Sequence, residues 1–173
     1  MAKKKIKMNL SVSSVNNAIR QIEEYKQALV IKTEKLLDEL GKVGIRTIDE
    51  KISNIVGDSN PDHYAYVKIN SFGTYSRATI ILQGQDILFI EFGAGIHYNG
   101  SVGSSPNPKG QEMGYTIGSY GKGHGAEDSW GYFNEEHGRF ETSHGTKAAM
   151  PMYNADVEIR KALKSVAKKV FGE

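Results

Sequence analysis

The chain has no cysteine among its 173 residues, which excludes disulfide bonds, thiolate metal sites and a cysteine nucleophile. It also has no run of about 20 apolar residues, the length that a membrane-spanning helix needs. The N-terminal lysines are not followed by an apolar stretch, so the sequence predicts no signal peptide. Together these absences predict a soluble protein that is made in the cytoplasm and has no membrane partner.

An excess of charge of one sign is also missing. The formal net charge is +2, from 22 Lys and Arg against 20 Asp and Glu, so no global field attracts nucleic acid or a membrane surface. Positive charge is nevertheless concentrated locally near the two ends of the chain, at Lys3, Lys4, Lys5, Lys7, Arg160, Lys161, Lys164, Lys168 and Lys169. We interpret residues 1–13 as a solvated basic tail and residues 14–173 as one domain; a DNA-binding role for the lysine-rich ends is an alternative.

The common motifs of catalytic and cofactor sites are absent. There is no G-x-S-x-G serine motif and no H-E-x-x-H metal motif. The stretch "GSYGKGHG" (118–125) resembles a phosphate loop, but Thr116 replaces its first glycine and Gly123 replaces its magnesium-binding hydroxyl residue. A dinucleotide loop starting at Gly93 and Gly95 would need a third glycine at Tyr98. We therefore predict no catalytic residue, no metal site and no cofactor.

The histidines permit one enzymatic alternative. Four of the five lie in or beside a glycine-rich segment, and several carboxylates are nearby; they are His97, His124, His137 and His144. Histidine and carboxylate side chains are zinc ligands, so a zinc-dependent cell-wall hydrolase is the rival enzymatic hypothesis. Their spacing matches no zinc motif, and polar loop residues are the preferred interpretation.

The apolar pattern predicts an α+β fold. Apolar residues at helical spacing predict one long helix from about 14 to 56, capped by Ser13 or Ser14 and bent or loosened at Gly41 and Gly44. Alternating segments around 64–69, 74–82 and 87–92 predict a three-stranded antiparallel meander. A second helix is expected to start near Pro151 and to end the chain. Both helices are expected to pack on the small sheet.

Glycine is concentrated in one part of the chain. Between Gly93 and Gly145 lie 13 of the 19 glycines, and the sequence predicts an extended loop over 93–129. A short hairpin is expected where "WGYF" (130–133) and "RFET" (139–142) flank "NEEHG".

The stretch "FIEFGAG" (89–95) is the most unusual local feature. In the predicted strand 87–92, Leu88, Ile90 and Phe92 share one face, and Glu91 lies on the other, partly exposed face. There its carboxylate could reach water, a backbone amide or a neighbouring subunit. With no second acid or nucleophile motif beside it, we interpret Glu91 as a structural residue at a strand end, followed by a glycine hinge into the loop.

The order of these signals resembles the tail-completion, or neck, proteins of the head–tail connection of tailed bacteriophages. Glu91, Phe92 and Gly93 are similar to that family's "E-[FY]-G", and Gly145 to Ala155, which includes Pro151 and Met152, is similar to its "G…A-x-P-[FM]". Trp130 and Tyr132 are similar to an aromatic strand between the two. The motifs cover the second half of the chain. Ala94, Met152 and Ala155 depart from the commoner Thr, Phe and second Pro of the family.

The resemblance implies a non-enzymatic virion component of a phage or prophage. Such a protein forms a homo-oligomeric ring between portal, adaptor or head-closure proteins on one side and tail-terminator or tail-tube proteins on the other, with DNA near its lumen. It is present in the host bacterial cytoplasm during assembly and then at the head–tail junction of the virion. A head-closure or tail-terminator protein of the same neck is the nearest alternative.

Overall fold

The structure is a computed structural model that describes residues 5–54, 63–73, 75–84, 86–93, 107–110, 130–135, 137–143 and 147–172. It confirms the predicted α+β class, because a long N-terminal helix and a C-terminal helix accompany a small antiparallel sheet. Most of the predicted loop 93–129 lies outside the described residues, as does the predicted family residue Gly145.

Helix α1 spans Val12–Ser53 and begins two residues inside the predicted basic tail. The N-cap is Ser11, not the predicted Ser13 or Ser14, and its side-chain oxygen accepts a hydrogen bond of 3.3 Å from the Ser14 amide. Most of the residues that α1 buries lie in its C-terminal half. This half of the helix therefore forms one side of the core.

Strands β1 (His63–Ser71) and β2 (Ser76–Gly84) pair antiparallel, with Val67 opposite Ile80. The alternate residues Ala65, Ile80 and Leu82 pack against the core, so one face of this hairpin covers α1. The predicted third strand is wrong, since the sheet has two strands.

Residues Ile87–Phe92 form a short helix, α2, and not a strand. Ile87 packs against the core, and Ile90 and Glu91, three and four positions further along, are buried; this is helical spacing. Leu88, which was predicted to share a face with Ile90, is 52 % exposed. Gly93 ends α2 with a positive φ of 83°, which glycine adopts without strain.

Further along the chain, the structure has the predicted hairpin and the predicted last helix. Strands β3 (Trp130–Asn134) and β4 (Arg139–Ser143) pair antiparallel, and helix α3 spans Pro151–Phe171. Helix α3 runs antiparallel to α1. Ala155, near the start of α3, packs with Ile52 near the end of α1. Near the end of α3, Lys169 Nζ lies 3.6 Å from Glu39 Oε2 in the middle of α1. Ile48, Ile52, Ile90 and Ala155 form the buried core between α1, α2 and α3.

Two glycines of α1 lie at points of close packing. The helix is continuous through both. A Cβ atom at Gly41 would clash with the side chain of Val67, and one at Gly44 would clash with the ends of Ile80 and Ile159. Gly41 therefore allows β1 to approach α1, and Gly44 allows β2 and α3 to do so.

We expect Gly41→Ala to lower the free energy of unfolding by about 1–2 kcal/mol, because overpacking outweighs the better helix propensity of alanine. Val67 is branched at Cβ and cannot rotate away, and its Cβ itself would lie 3.2 Å from the new atom. Gly44→Ala should change stability less, since only the flexible ends of two isoleucines must move. Urea unfolding of both variants tests this, and an equal loss in the two would contradict it.

Candidate functional site

The N-terminus of α3 has no cap of its own. Its N-cap residue is Met150, which has a left-handed backbone with φ of 55° and whose side chain makes no capping hydrogen bond. Pro151 follows and has no N–H. The amides of Met152 and Tyr153 point out of the first turn and need an acceptor from elsewhere in the chain.

Glu91 supplies that acceptor from 61 residues away. Its Oε2 accepts a hydrogen bond of 2.8 Å from the Met152 amide, and its Oε1 accepts one of 3.1 Å from the Tyr153 amide. The negative carboxylate also lies at the positive end of the helix dipole. In addition, the Ile90 carbonyl accepts a hydrogen bond of 2.8 Å from the Ala149 amide, so backbone and side chain together fasten α2 to the start of α3.

Asn107 completes this arrangement from within the predicted glycine-rich loop. Its Nδ2 donates a hydrogen bond of 2.7 Å to Glu91 Oε1, and the residue is 2 % exposed. Its Oδ1 accepts from the Lys109 amide at 2.9 Å, and its carbonyl accepts from the Gly110 amide at 2.9 Å, which closes a tight turn. We call Glu91, Asn107 and the amides of Met152 and Tyr153 the Glu91 cluster.

Asn107 was not among the predicted site residues, although a local signal was present. The residues "NPKG" (107–110) have Asn, Pro and Gly at the first, second and fourth positions, as type I turns favour. An Asn at the first position often accepts a hydrogen bond from the backbone two residues further on. This signal predicts the turn, but it does not predict that the amide group is buried against Glu91.

The position predicted for Glu91, on a partly exposed strand face, is wrong. The residue lies on α2 and is 6 % exposed, because the helical turn directs it toward the start of α3. Of the three environments considered for its carboxylate, the structure shows the backbone amide. The side chain is held by three donors inside the protein.

Burial raises the pKa of Glu91 above the ordinary value of 4.5, because a charged carboxylate is less well solvated inside the protein. The hydrogen bonds from Met152, Tyr153 and Asn107 act in the opposite direction, and burial is the larger effect. The folded protein therefore binds this proton more tightly than the unfolded chain does.

The raised pKa of Glu91 predicts a pH dependence of stability. The contribution of this group is fully present below its unfolded pKa and is lost as the pH rises through the folded pKa. Relative to Glu91→Gln, which does not titrate, the wild type should therefore become less stable between acidic and neutral pH. Urea unfolding of both proteins at several pH values measures this difference, and a difference that grows in favour of the wild type with rising pH would contradict it.

The other predicted family residues have different relations to the cluster. Pro151 is fully buried at the start of α3, and Met152 packs against the core while its amide joins the cluster. Phe92 is buried on α2 beside Glu91. Gly93 ends that helix. Trp130 and Tyr132 lie on β3, opposite Ser143 and Glu141.

The chemistry of the Glu91 cluster is that of a helix cap. Among the described residues, no group of three His, Asp or Glu side chains is placed to hold a metal ion. Of the histidines in the zinc hypothesis, His137 lies in the β3–β4 turn, with Nδ1 2.7 Å from Glu141 Oε1. His97, His124 and His144 lie outside the described residues. Within the residues that the structure describes, no helix has both the length and the apolar character to cross a bilayer.

Comparison with known proteins gives no relative. No protein-family model, curated protein or solved structure matches the chain.

Proposed function

We propose that the protein is a non-enzymatic subunit of the head–tail junction of a tailed bacteriophage, where it forms a ring that completes the tail and docks it on the DNA-filled head. The observation that carries the proposal is the Glu91 cluster. The resemblance to the neck proteins rests most strongly on two stretches, "EFG" at 91–93 and residues 145–155, which include Pro151 and Met152. These stretches contact each other directly through the Glu91 carboxylate.

The contact gives a physical reason why the two motifs occur together. A helix that starts with proline after a residue unable to cap leaves two amides unsatisfied, and a carboxylate on a preceding helix satisfies both. The glycine after "EF" then lets the chain leave α2 with a positive φ. The motifs therefore describe one folded unit, which supports the assignment of both to the same family pattern.

The described surface is also compatible with a protein that works by association. Large apolar side chains are exposed on several elements, among them Leu10, Ile31, Phe133 and Phe140. The Phe133 and Phe140 rings pack edge to face, with their centroids 5.3 Å apart across the β3–β4 hairpin. Contact with a neighbouring subunit or neck protein would cover these two rings and stabilise the hairpin.

Disruption of the gene in the phage or prophage that encodes the chain tests the proposal. Induced cells should accumulate DNA-filled heads and separate tails, and a wild-type copy supplied in trans should restore joined particles. Electron microscopy of the lysate gives the result. Joined particles at the normal yield would overturn the proposal, and joined particles that fail to leave the cell would favour the cell-wall hydrolase instead.

The same lysates also distinguish the alternative positions in the neck. When a tail-side or a head-side partner gene is disrupted in turn, the protein should remain with the part to which it binds first. Sedimentation of heads and tails followed by mass spectrometry identifies that part.

A further inference from the structure

The N-terminal part of α1 extends beyond the rest of the described fold. The helix has 42 residues and is about 63 Å long, whereas α3 has 21 and is about 32 Å long. The end of α3 lies beside Glu39. At the tip of the β1–β2 hairpin, Gly73 and Tyr75 line a surface groove together with Leu29 and Thr33 of α1. Residues 12–25 therefore extend past the ends of α3 and of the β1–β2 hairpin, although Ala18 within them is buried, at 5 % exposed.

An apolar stripe starts on this projecting part with three exposed residues and continues to the half-buried Leu29. We call it the α1 seam: Val12, Ile19, Ile22 and Leu29, with Lys26 between the last two. Val12 is 77 % exposed, Ile19 is 49 % exposed and Ile22 is 56 % exposed. Amphipathic helices gain most of their stability from packing of the apolar face and not from helix propensity. The seam is thus a surface that another helix would stabilise.

We propose that the α1 seam pairs antiparallel with the α1 seam of a second copy of this chain. The seam positions are separated by seven, three, four and three residues, the spacing of a coiled-coil a/d pattern, which is complementary to another helix with the same spacing. A parallel, in-register pair would bring Lys26 against Lys26 of the second copy. An antiparallel pair with Ile19 opposite Ile22 separates the two lysines. Lys26 then lies opposite Val15, where its long side chain can reach water.

The ends of the seam give a second reason to choose a copy of the same chain. In this register Val12 lies opposite Leu29, so Leu10, which is 98 % exposed, approaches the hairpin tip of the second copy. That tip carries Phe72 and Tyr75, which are both more than half exposed and are stacked with ring centroids 4.9 Å apart. One arrangement thus covers the seam, the residues before it and the exposed aromatic pair.

A two-fold pair is a closed unit, because both copies use the same surface. The inference therefore concerns the free protein and does not rest on the proposed ring. The pair would survive failure of the phage assignment, and a ring in the virion would not by itself support the pair.

Sedimentation velocity of the full chain at micromolar concentration is the first test. The wild type should sediment as a dimer, and the variant with Ile19→Glu and Ile22→Glu should sediment at half that mass. A matched control with Asn17→Glu and Ala28→Glu adds the same charge on the opposite, exposed side of the helix and should remain dimeric. A monomeric wild type, or a seam variant that remains dimeric, would overturn the proposal.

Because the chain has no cysteine, disulfide trapping gives a second test that keeps the fold intact. Ile19→Cys protein mixed with Ile22→Cys protein should form a mixed dimer on copper–phenanthroline oxidation. Ile22→Cys protein alone should cross-link more slowly, since its thiols lie opposite residue 19 of the second copy. Faster cross-linking of Ile22→Cys alone would indicate a parallel pair, and no cross-link in either sample would exclude the seam as the contact; both results contradict the proposal.

Discussion

Replacing Glu91 with alanine should lower the free energy of unfolding by about 3 kcal/mol, the sum of a lost helix cap and of buried donors left without an acceptor. The amides of Met152 and Tyr153 and the side-chain amide of Asn107 all lose their acceptor in this variant. Relief of the buried charge offsets part of the loss. A net loss of this size is a large fraction of the stability of a single domain.

Two further variants distinguish the effect of losing the helix cap from the effect of losing a negative charge. Glu91→Gln keeps one oxygen acceptor and the side-chain volume, but its amide nitrogen faces one of the three donors. It should therefore lose less than Glu91→Ala, about 2 kcal/mol, the cost of one buried donor without an acceptor. Glu50→Ala removes an exposed glutamate of α1 whose ion pair with Arg46 is long at 3.9 Å, and it should change stability by less than about 0.5 kcal/mol. Urea unfolding gives all three values. A Glu91→Ala protein as stable as the Glu50→Ala protein would show that the carboxylate is not a cap.

Ile48→Ala should lower the free energy of unfolding by about 3–4 kcal/mol, because it removes buried methyl groups and leaves a cavity that the surrounding core fills only in part. Ile48 has no exposed surface and packs in the cluster with Ile52, Ile90 and Ala155. This cluster is where α1, α2 and α3 meet. The loss should therefore appear as one cooperative transition for the whole described core and not as local unfolding.

Ile31→Ala is the matched control for the core variant. Ile31 lies on the same helix, is 65 % exposed and is outside the α1 seam. The better helix propensity of alanine should offset the small loss of contact, so the free energy of unfolding should stay within about 0.5 kcal/mol of the wild type. A similar loss in the two variants would contradict the position of the core.

The parts of the fold that were predicted correctly have local causes. The period of α1 extends over many turns, Pro151 marks the start of α3, and turn-forming residues separate the strands of both hairpins. Each of these signals acts within a few residues of the structure that it predicts. These signals can therefore be recognised in a single sequence.

The errors at Ile87–Phe92 and at Glu91 have one physical origin. The run Ile87–Phe92 is short and almost wholly apolar, and such a run fits a strand or a buried helix equally well until its neighbours are known. The neighbours are α3 and the Asn107 turn, which are distant in sequence. The burial of Glu91 depends on the same contacts. Because these six residues were predicted as a strand and not as a helix, the environment predicted for the Glu91 carboxylate was also wrong.

The glycines of α1 show the same limit. Gly41 and Gly44 were interpreted as positions that bend or loosen the helix, since glycine is a weak helix former. Their role in the structure is to let Val67, Ile80 and Ile159 approach the helix axis. This role is set by side chains on other elements and has no signature within α1 itself.

The central functional claim is that the chain is a ring subunit between head and tail. Cryo-electron microscopy of purified particles, together with mass spectrometry of the same sample, tests it most directly. The account predicts that the protein is present in the particles and that its fold, with α2 fastened to α3 through Glu91, fits a ring of density at the head–tail junction. Absence of the protein from purified particles, or a junction whose density is fully occupied by other chains, would contradict the account.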